Sequence, residues 1–176
     1  MPTHVAMLRG VNLGRRQVSM AELRTLLEGL GYLDVSTYVQ SGNVIFTTKK
    51  TESRIAAELE AALTNAFRFA VPVIVRSRGD LAAVVANNPF PNATADPTKL
   101  HVTFLREPLN PEWLADLDAA DFTPEEFATR QCEVYLSLPN GLGRSKLAVV
   151  LEKALRGTGT TRNWRTVTAL LDLVDR

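Results

Sequence analysis

An α+β fold of two similar halves is predicted by three features of this 176-residue chain. Short β-branched runs and amphipathic helical stretches alternate as β-α-β-β-α-β over residues 1–78, the split βαβ or ferredoxin-like pattern. Asn87-Asn88-Pro89-Phe90-Pro91 then breaks the periodicity as a linker does. Beyond it a second series reads β-α-β-β-α-α. The expectation is therefore two ferredoxin-like (βαββαβ-type) subdomains, the second with a helix replacing the last strand. Their limits are read as residues 1–78, a short helix with a Pro/Asn-rich linker over 79–99, and a second α+β subdomain over 100–176.

Each element has its own signal. Residues 3–8 are a β-type run. Ser19-Met20-Ala21-Glu22 fits a capping box, Met20, Leu23, Leu26, Leu27 and Leu30 follow at helical spacing, and Gly31 supplies a stop. Two β-rich runs, 35–39 and 44–47, flank the polar turn Gln40-Ser41-Gly42-Asn43 as a hairpin. Ile55, Leu59, Ala62, Leu63, Ala66 and Phe67 mark a second helix, and residues 71–76 a fourth strand with Pro72 at its start. A short helix is read over 80–86. In the second half, strands are expected at 100–106, 127–130 and 132–138. A helix starting at Asn110-Pro111-Glu112 is predicted by its N-cap residue and Pro at N1. Two more helices are predicted over 145–156 and 163–174.

Composition excludes several classes. Hydrophobic content of 45% with 22% charged residues is ordinary for a globular protein, and a net charge of +1 makes no global case for nucleic acid or an anionic membrane. No stretch approaches the ~18 apolar residues of a membrane span, and the start has no signal-peptide pattern. The single cysteine permits no internal disulfide, which fits a reducing compartment, and a cytoplasmic location is expected. Two histidines and one cysteine, none at ligand spacing, argue against a metal site. Nucleophile-elbow, Walker and dinucleotide motifs are absent, so no cofactor is expected. Charge is segregated, however. Residues 107–127 hold seven acidic and no basic residues, whereas 141–165 hold six basic and one acidic. Two solvated faces explain such blocks, and so does pairing across a homodimer.

What remains is anion chemistry. In a split βαβ the loop after strand one and the turn between strands two and three lie at one end of the sheet. That topology makes neighbours of Arg9-Gly10-Val11-Asn12-Leu13-Gly14 and Gln40-Ser41-Gly42-Asn43. Arg9, with Arg15 and Arg16 beyond it, supplies charge. Gly10, Gly14 and Gly42 let the backbone approach closely, and Asn12, Gln40, Ser41 and Asn43 supply neutral donors. Together they suit a phosphate or carboxylate. The competing reading is that the glycines only make turns and the asparagines only satisfy loop backbone. Gly141-Leu142-Gly143-Arg144-Ser145-Lys146 is a second glycine-bearing loop before a helix. Arg162-Asn163-Trp164 places a guanidinium, an amide and a ring at another helix start, with Trp164 reading as core on the apolar stripe.

The runs LRGVNLG, MAELRTLLEGLGY, VSTYVQSGNVIF, VPVIVR, NPF, LHVTFL, GRSKL and TTRNWRTV resemble, in order and over nearly the whole chain, an uncharacterised bacterial family catalogued as domain of unknown function 1697. Its motifs here are Arg9-Gly10-Val11-Asn12-Leu13-Gly14, Gln40-Ser41-Gly42-Asn43, Ser145-Lys146 and Thr161-Arg162-Asn163-Trp164. One departure is Arg15-Arg16, where relatives tend to carry a second glycine after Gly14. The resemblance implies two ferredoxin-like or partly ferredoxin-like parts, and it implies no activity.

Three readings follow. The first is a small anionic ligand, phosphate- or nucleotide-like, held by the two first-half loops and completed by Ser145, Lys146, Arg162, Asn163 and Trp164. Acylphosphatases, on a similar frame, use a first-loop arginine and an asparagine near the hairpin; for Arg9 and Asn43 this is fold-level analogy. The second is an interaction or regulatory module without catalysis. The third, nucleic-acid binding, is disfavoured because the central strands THVAML and NVIF offer only Phe46 for stacking.

Overall fold

The computed structural model describes all residues, Met1–Arg176. It is a mixed α/β structure with two four-stranded antiparallel sheets and five α-helices. Contact density divides the chain into one unit of Met1–Ala83 with Ala169–Arg176 and a second of Val84–Thr168.

The first unit runs β1 (Thr3–Leu8), α1 (Met20–Gly29), β2 (Leu33–Tyr38), β3 (Asn43–Thr47), α2 (Glu52–Phe67), β4 (Val73–Ser77) and the start of α3 (Arg78–Ala86). The sheet order is β2-β3-β1-β4, with every neighbour antiparallel. Alternation along the strands sends Ala6, Leu8, Val44, Phe46, Val73 and Val75 into one cluster with Leu23 and Leu27 of α1 and Ile55, Leu59 and Leu63 of α2. The other face carries Val5, Met7, Ile45 and Ile74, buried as well, so neither face of the central strands meets water. Caps fix the helix starts: Ser19 Oγ accepts from Glu22 N, and Thr51 Oγ1 from Arg54 N. Gly31, at φ 85, follows the last turn of α1.

The second unit runs β5 (Leu100–Leu105), two 3-10 turns (Pro111–Leu114 and Ala119–Phe122), β6 (Glu126–Thr129), β7 (Glu133–Ser137), α4 (Lys146–Ala154), β8 (Gly159–Asn163) and the first turns of α5 (Trp164–Val174). Its sheet order is β6-β7-β5-β8, again antiparallel throughout. Leu105, Val134, Leu136 and Leu138 pack with Leu147, Leu151 and Leu155 around α4.

Two expectations are corrected here. The second half does not replace its last strand with a helix, because β8 pairs with β5 from His101↔Asn163 to Leu105↔Gly159 and α5 follows it. The sequence Gly159-Thr160-Thr161-Arg162-Asn163 lacks apolar alternation, which hid the strand. Its threonines hold it instead, with Thr161 Oγ1 2.7 Å from Thr103 Oγ1 on the paired strand. The helix that starts after the Asn110 cap is a short 3-10 helix, Pro111–Leu114, and not an α-helix. Asn110 Oδ1 accepts from Glu112 N and Asp118 Oδ1 from Ala120 N, each two residues on. Such local bonds compete with α-helical propagation and leave short 3-10 turns.

Candidate functional site

The end of the first sheet beyond Leu8 is where the two loops meet. Leu8 N donates to Gly42 O at 2.8 Å, and Arg9 N to Pro72 O at 2.9 Å, so strand one is tied to both flanking connections as it ends. Asn12 then bridges. Its Nδ2 donates to Gln40 O, and its Oδ1 accepts from Val18 N at 2.8 Å. Gly42, at φ 78, completes the junction: a Cβ there would lie 2.6 Å from Val11 Cγ2 and 2.9 Å from Leu8 Cβ. Gly10, Asn12 and Gly14 all have positive φ, and Asn12 N closes the loop on Arg16 O at 2.6 Å.

The side chains at this end divide into frame and surface. Asn43 is fully buried, and its Nδ2 donates to Tyr38 O at 3.1 Å and Ser41 Oγ at 2.8 Å, knitting the turn. Arg16 also belongs to the frame. Its Nε donates to Gly10 O, an Nη to Ala70 O, and its guanidinium lies 4.7 Å over the Phe69 ring. Arg9 is half-buried; Arg15, Gln40 and Ser41 are exposed. Two apolar residues stand exposed beside the Asn12–Gln40 bond, Leu13 at 66% and Val39 at 51%. Val39 adopts φ 52, an outlying conformation for a β-branched residue. This end therefore combines a braced backbone with an open rim of cationic, amide, hydroxyl and apolar groups.

The second-half motifs lie in different settings. Ser145 is buried and is the N-cap of α4, its Oγ accepting from Ala148 N at 2.9 Å. A second amide of that first turn is already met by a protein carboxylate: Glu125 Oε1 accepts from Leu147 N at 3.2 Å. The anion position predicted at this helix start is thus filled from within the chain by a residue that sequence reading passed over as part of the acidic block. Glu125 is 9% exposed, and its Oε2 has no hydrogen-bond partner. Lys146 points to solvent.

Arg162 is buried on β8. Its Nη1 donates to Thr160 Oγ1 at 2.8 Å and Thr161 O at 3.0 Å, and burial pushes its pKa down to about 10. Asn163 Oδ1 accepts from Thr166 N at 2.9 Å, capping α5, and Trp164 is 6% exposed as a core residue. Beside α4 a groove of about 350 Å³ is lined by Thr103, Leu136, Val149, Leu151 and Thr161.

A second cluster in the first unit was not anticipated. Ser77 and Asp80 form a capping box for α3: Asp80 N donates to Ser77 Oγ at 3.2 Å, and Asp80 Oδ2 accepts from Ser77 N at 2.9 Å and Ser77 Oγ at 2.5 Å. Glu52 Oε1, from the first turn of α2, accepts from the same Ser77 amide at 3.2 Å. Burial and the neighbouring Asp80 push the Glu52 carboxyl up to about 7. Burial opposes ionisation of Asp80 too, but the Ser77 donors outweigh it and hold its carboxyl below the usual value. The spacing Ser77-x-x-Asp80 was a legible signal; the arrival of Glu52 from 25 residues away was not.

No curated protein matches the chain. Among solved structures, the conserved bacterial protein SP0830 from Streptococcus pneumoniae has the same fold, at a TM-score of 0.84 and 22% identity over 100% of this chain and 99% of that one. The family model described as "Protein of unknown function (DUF1697)" matches residues 1–135, and the chain belongs to that family.

Proposed function

We propose that the protein binds a small anionic, phosphate- or nucleotide-like ligand at the rim formed by residues 9–15 and the hairpin turn 39–43. The observation that carries this reading is the Asn12 bridge between the two loops. It spends the asparagine amide and the Gly42 contact on preorganisation, beside the exposed Arg15, Gln40 and Ser41 and the half-buried Arg9. The exposed Val39, held at φ 52, supports it, because strained backbone is kept where the surrounding fold imposes it and is enriched at ligand sites. Leu13 and Val39 favour a ligand with an apolar body beside its anionic group. The two sheet orders also support the inference that each half is a ferredoxin-like unit, which puts this rim at the crossover end of the first sheet. Lys146, Arg162, Asn163 and Trp164 are not part of this proposal, since Arg162, Asn163 and Trp164 serve their own strand and helix.

The test is amide chemical-shift titration of labelled protein with inorganic phosphate and with adenosine diphosphate. The expected outcome is saturable shifts confined to residues 9–15 and 39–43, stronger for the nucleotide and weakened about tenfold or more by Arg9→Ala with Arg15→Ala. Shifts elsewhere, or none at millimolar ligand, overturn the reading.

A further inference from the structure

We propose that Glu52 and Asp80 form a proton-operated latch that fixes the first turn of α3 to the first turn of α2. The geometry begins with one donor and two acids. Ser77 N points at both Asp80 Oδ2, 2.9 Å away, and Glu52 Oε1, 3.2 Å away, which brings two carboxyl groups from different helices onto a single amide. Two oxygens that share one amide hydrogen lie close together, near enough for the two carboxyls to share a proton. A hydrogen bond between two carboxyl groups needs a proton between them, because two carboxylates are acceptors only.

The surroundings decide which carboxyl holds the proton. Asp80 also accepts from the Ser77 hydroxyl at 2.5 Å, so its anion is the better solvated of the two. Glu52 has the one amide contact and takes the proton. Every element packed here contributes. Arg76 on β4 attracts both carboxyls, while His4 on β1 lies opposite Ser77 in the register and burial lowers its pKa. Arg76 Nη1 is itself engaged, donating to Val75 O at 3.0 Å.

With the proton in place, Glu52 donates to Asp80 and the two helix starts are tied. When base removes that proton to solvent, two negative groups face each other across the Ser77 amide, and the tie is replaced by repulsion. The sign follows from the raised Glu52 value. The tie is at full strength below about pH 4.5, where Glu52 is protonated even when unfolded, and is lost as pH rises through about 7. Asp80, shifted the opposite way, stays ionised throughout that window.

The chain carries its own control. In register, β8 corresponds to β4, and the helix after it starts from Asn163, whose Oδ1 accepts from Thr166 N at 2.9 Å. That cap has no titratable group.

Carboxyl carbon shifts and amide exchange protection of the full chain, followed from pH 5 to 8.5, test the latch. Glu52 is expected to titrate near 7, coupled to Asp80. Protection factors at Leu81 and Ala82 are expected to fall about tenfold or more across that step, one pKa unit being one decade. Those at Val167 and Thr168 are expected to stay level. Glu52→Gln, which donates without titrating, should hold α3 protection level at every pH. Asp80→Asn keeps the cap acceptor and should return Glu52 towards 4.5. Glu52 titrating at its ordinary value in the native chain, α3 protection level from pH 5 to 8.5, or an unchanged step in Glu52→Gln each overturns the latch.

Discussion

At the scale of single residues, the loop junction turns on how closely two backbones approach. Gly42 and Gly14 both have positive φ, 78 and 57, but only Gly42 is crowded: a Cβ there overlaps Val11 and Leu8, whereas Gly14 has nothing within 4 Å. Alanine at Gly14 should therefore carry conformational strain alone, about 1–2 kcal/mol. Alanine at Gly42 adds the displacement of Val11 and Leu8 and should lose about 2–4 kcal/mol. Urea midpoints of the two variants check this, and equal losses contradict the close approach. Some of this was legible beforehand. The adjacency of residues 9–14 and 40–43 follows from strand order, and the glycines were visible as turn formers. What the side chains do there was not legible. Asn12 and Asn43 read equally well as ligand donors or as loop braces, and only the positions of Gln40 O, Val18 N and Tyr38 O distinguish the two.

At the scale of elements, strongly periodic helices were readable and a polar strand was not. α1 and α2 announce themselves through their apolar spacing, and α1 also through its Ser19 cap. β8 did not, because its stability lies in ladder bonds and a threonine pair rather than in an apolar stripe. The start of α4 shows the same limit. Its N-cap, Ser145, was visible in sequence, but Glu125 reaches the Leu147 amide across 22 residues and supplies the negative charge that a helix N-terminus favours. Glu125→Ala should leave that buried amide without its acceptor and lose about 1–3 kcal/mol. Glu125→Gln keeps the acceptor and removes only the charge, so its loss should be smaller, about 0.3–1 kcal/mol. Denaturant unfolding of both variants measures the difference; equal losses argue against a capping role for Glu125.

At the scale of the whole molecule, the two units repeat one another in register. His4 opposes Phe46 and Ser77, as His101 opposes Leu136 and Asn163, and buried arginines Arg76 and Arg162 occupy matching places. The echo is faint in sequence, THVAML against LHVTFL, because register is kept by ladder geometry while side chains diverge. It has a consequence for pH dependence. Both histidines are buried, and each leaves Nδ1 without a partner. Burial, chiefly, lowers the pKa of both below 6.5. A depressed folded value means the unfolded chain binds the proton first, so stability is present above pH 6.5 and is lost as pH falls through the folded values. Each ring contributes a slope of up to about 1.4 kcal/mol per pH unit in that window. Glu52 has the opposite sign, losing its contribution as pH rises towards about 7, and so flattens the native curve. Glu52→Gln should therefore steepen the acid-side loss of stability. His4→Gln with His101→Gln, which keeps an N–H donor at each site without a titratable ring, should abolish that loss and leave a curve that declines towards neutral pH. Denaturant midpoints from pH 5 to 7.5 for the three proteins decide it, and parallel curves would mean that neither histidine reports on folding.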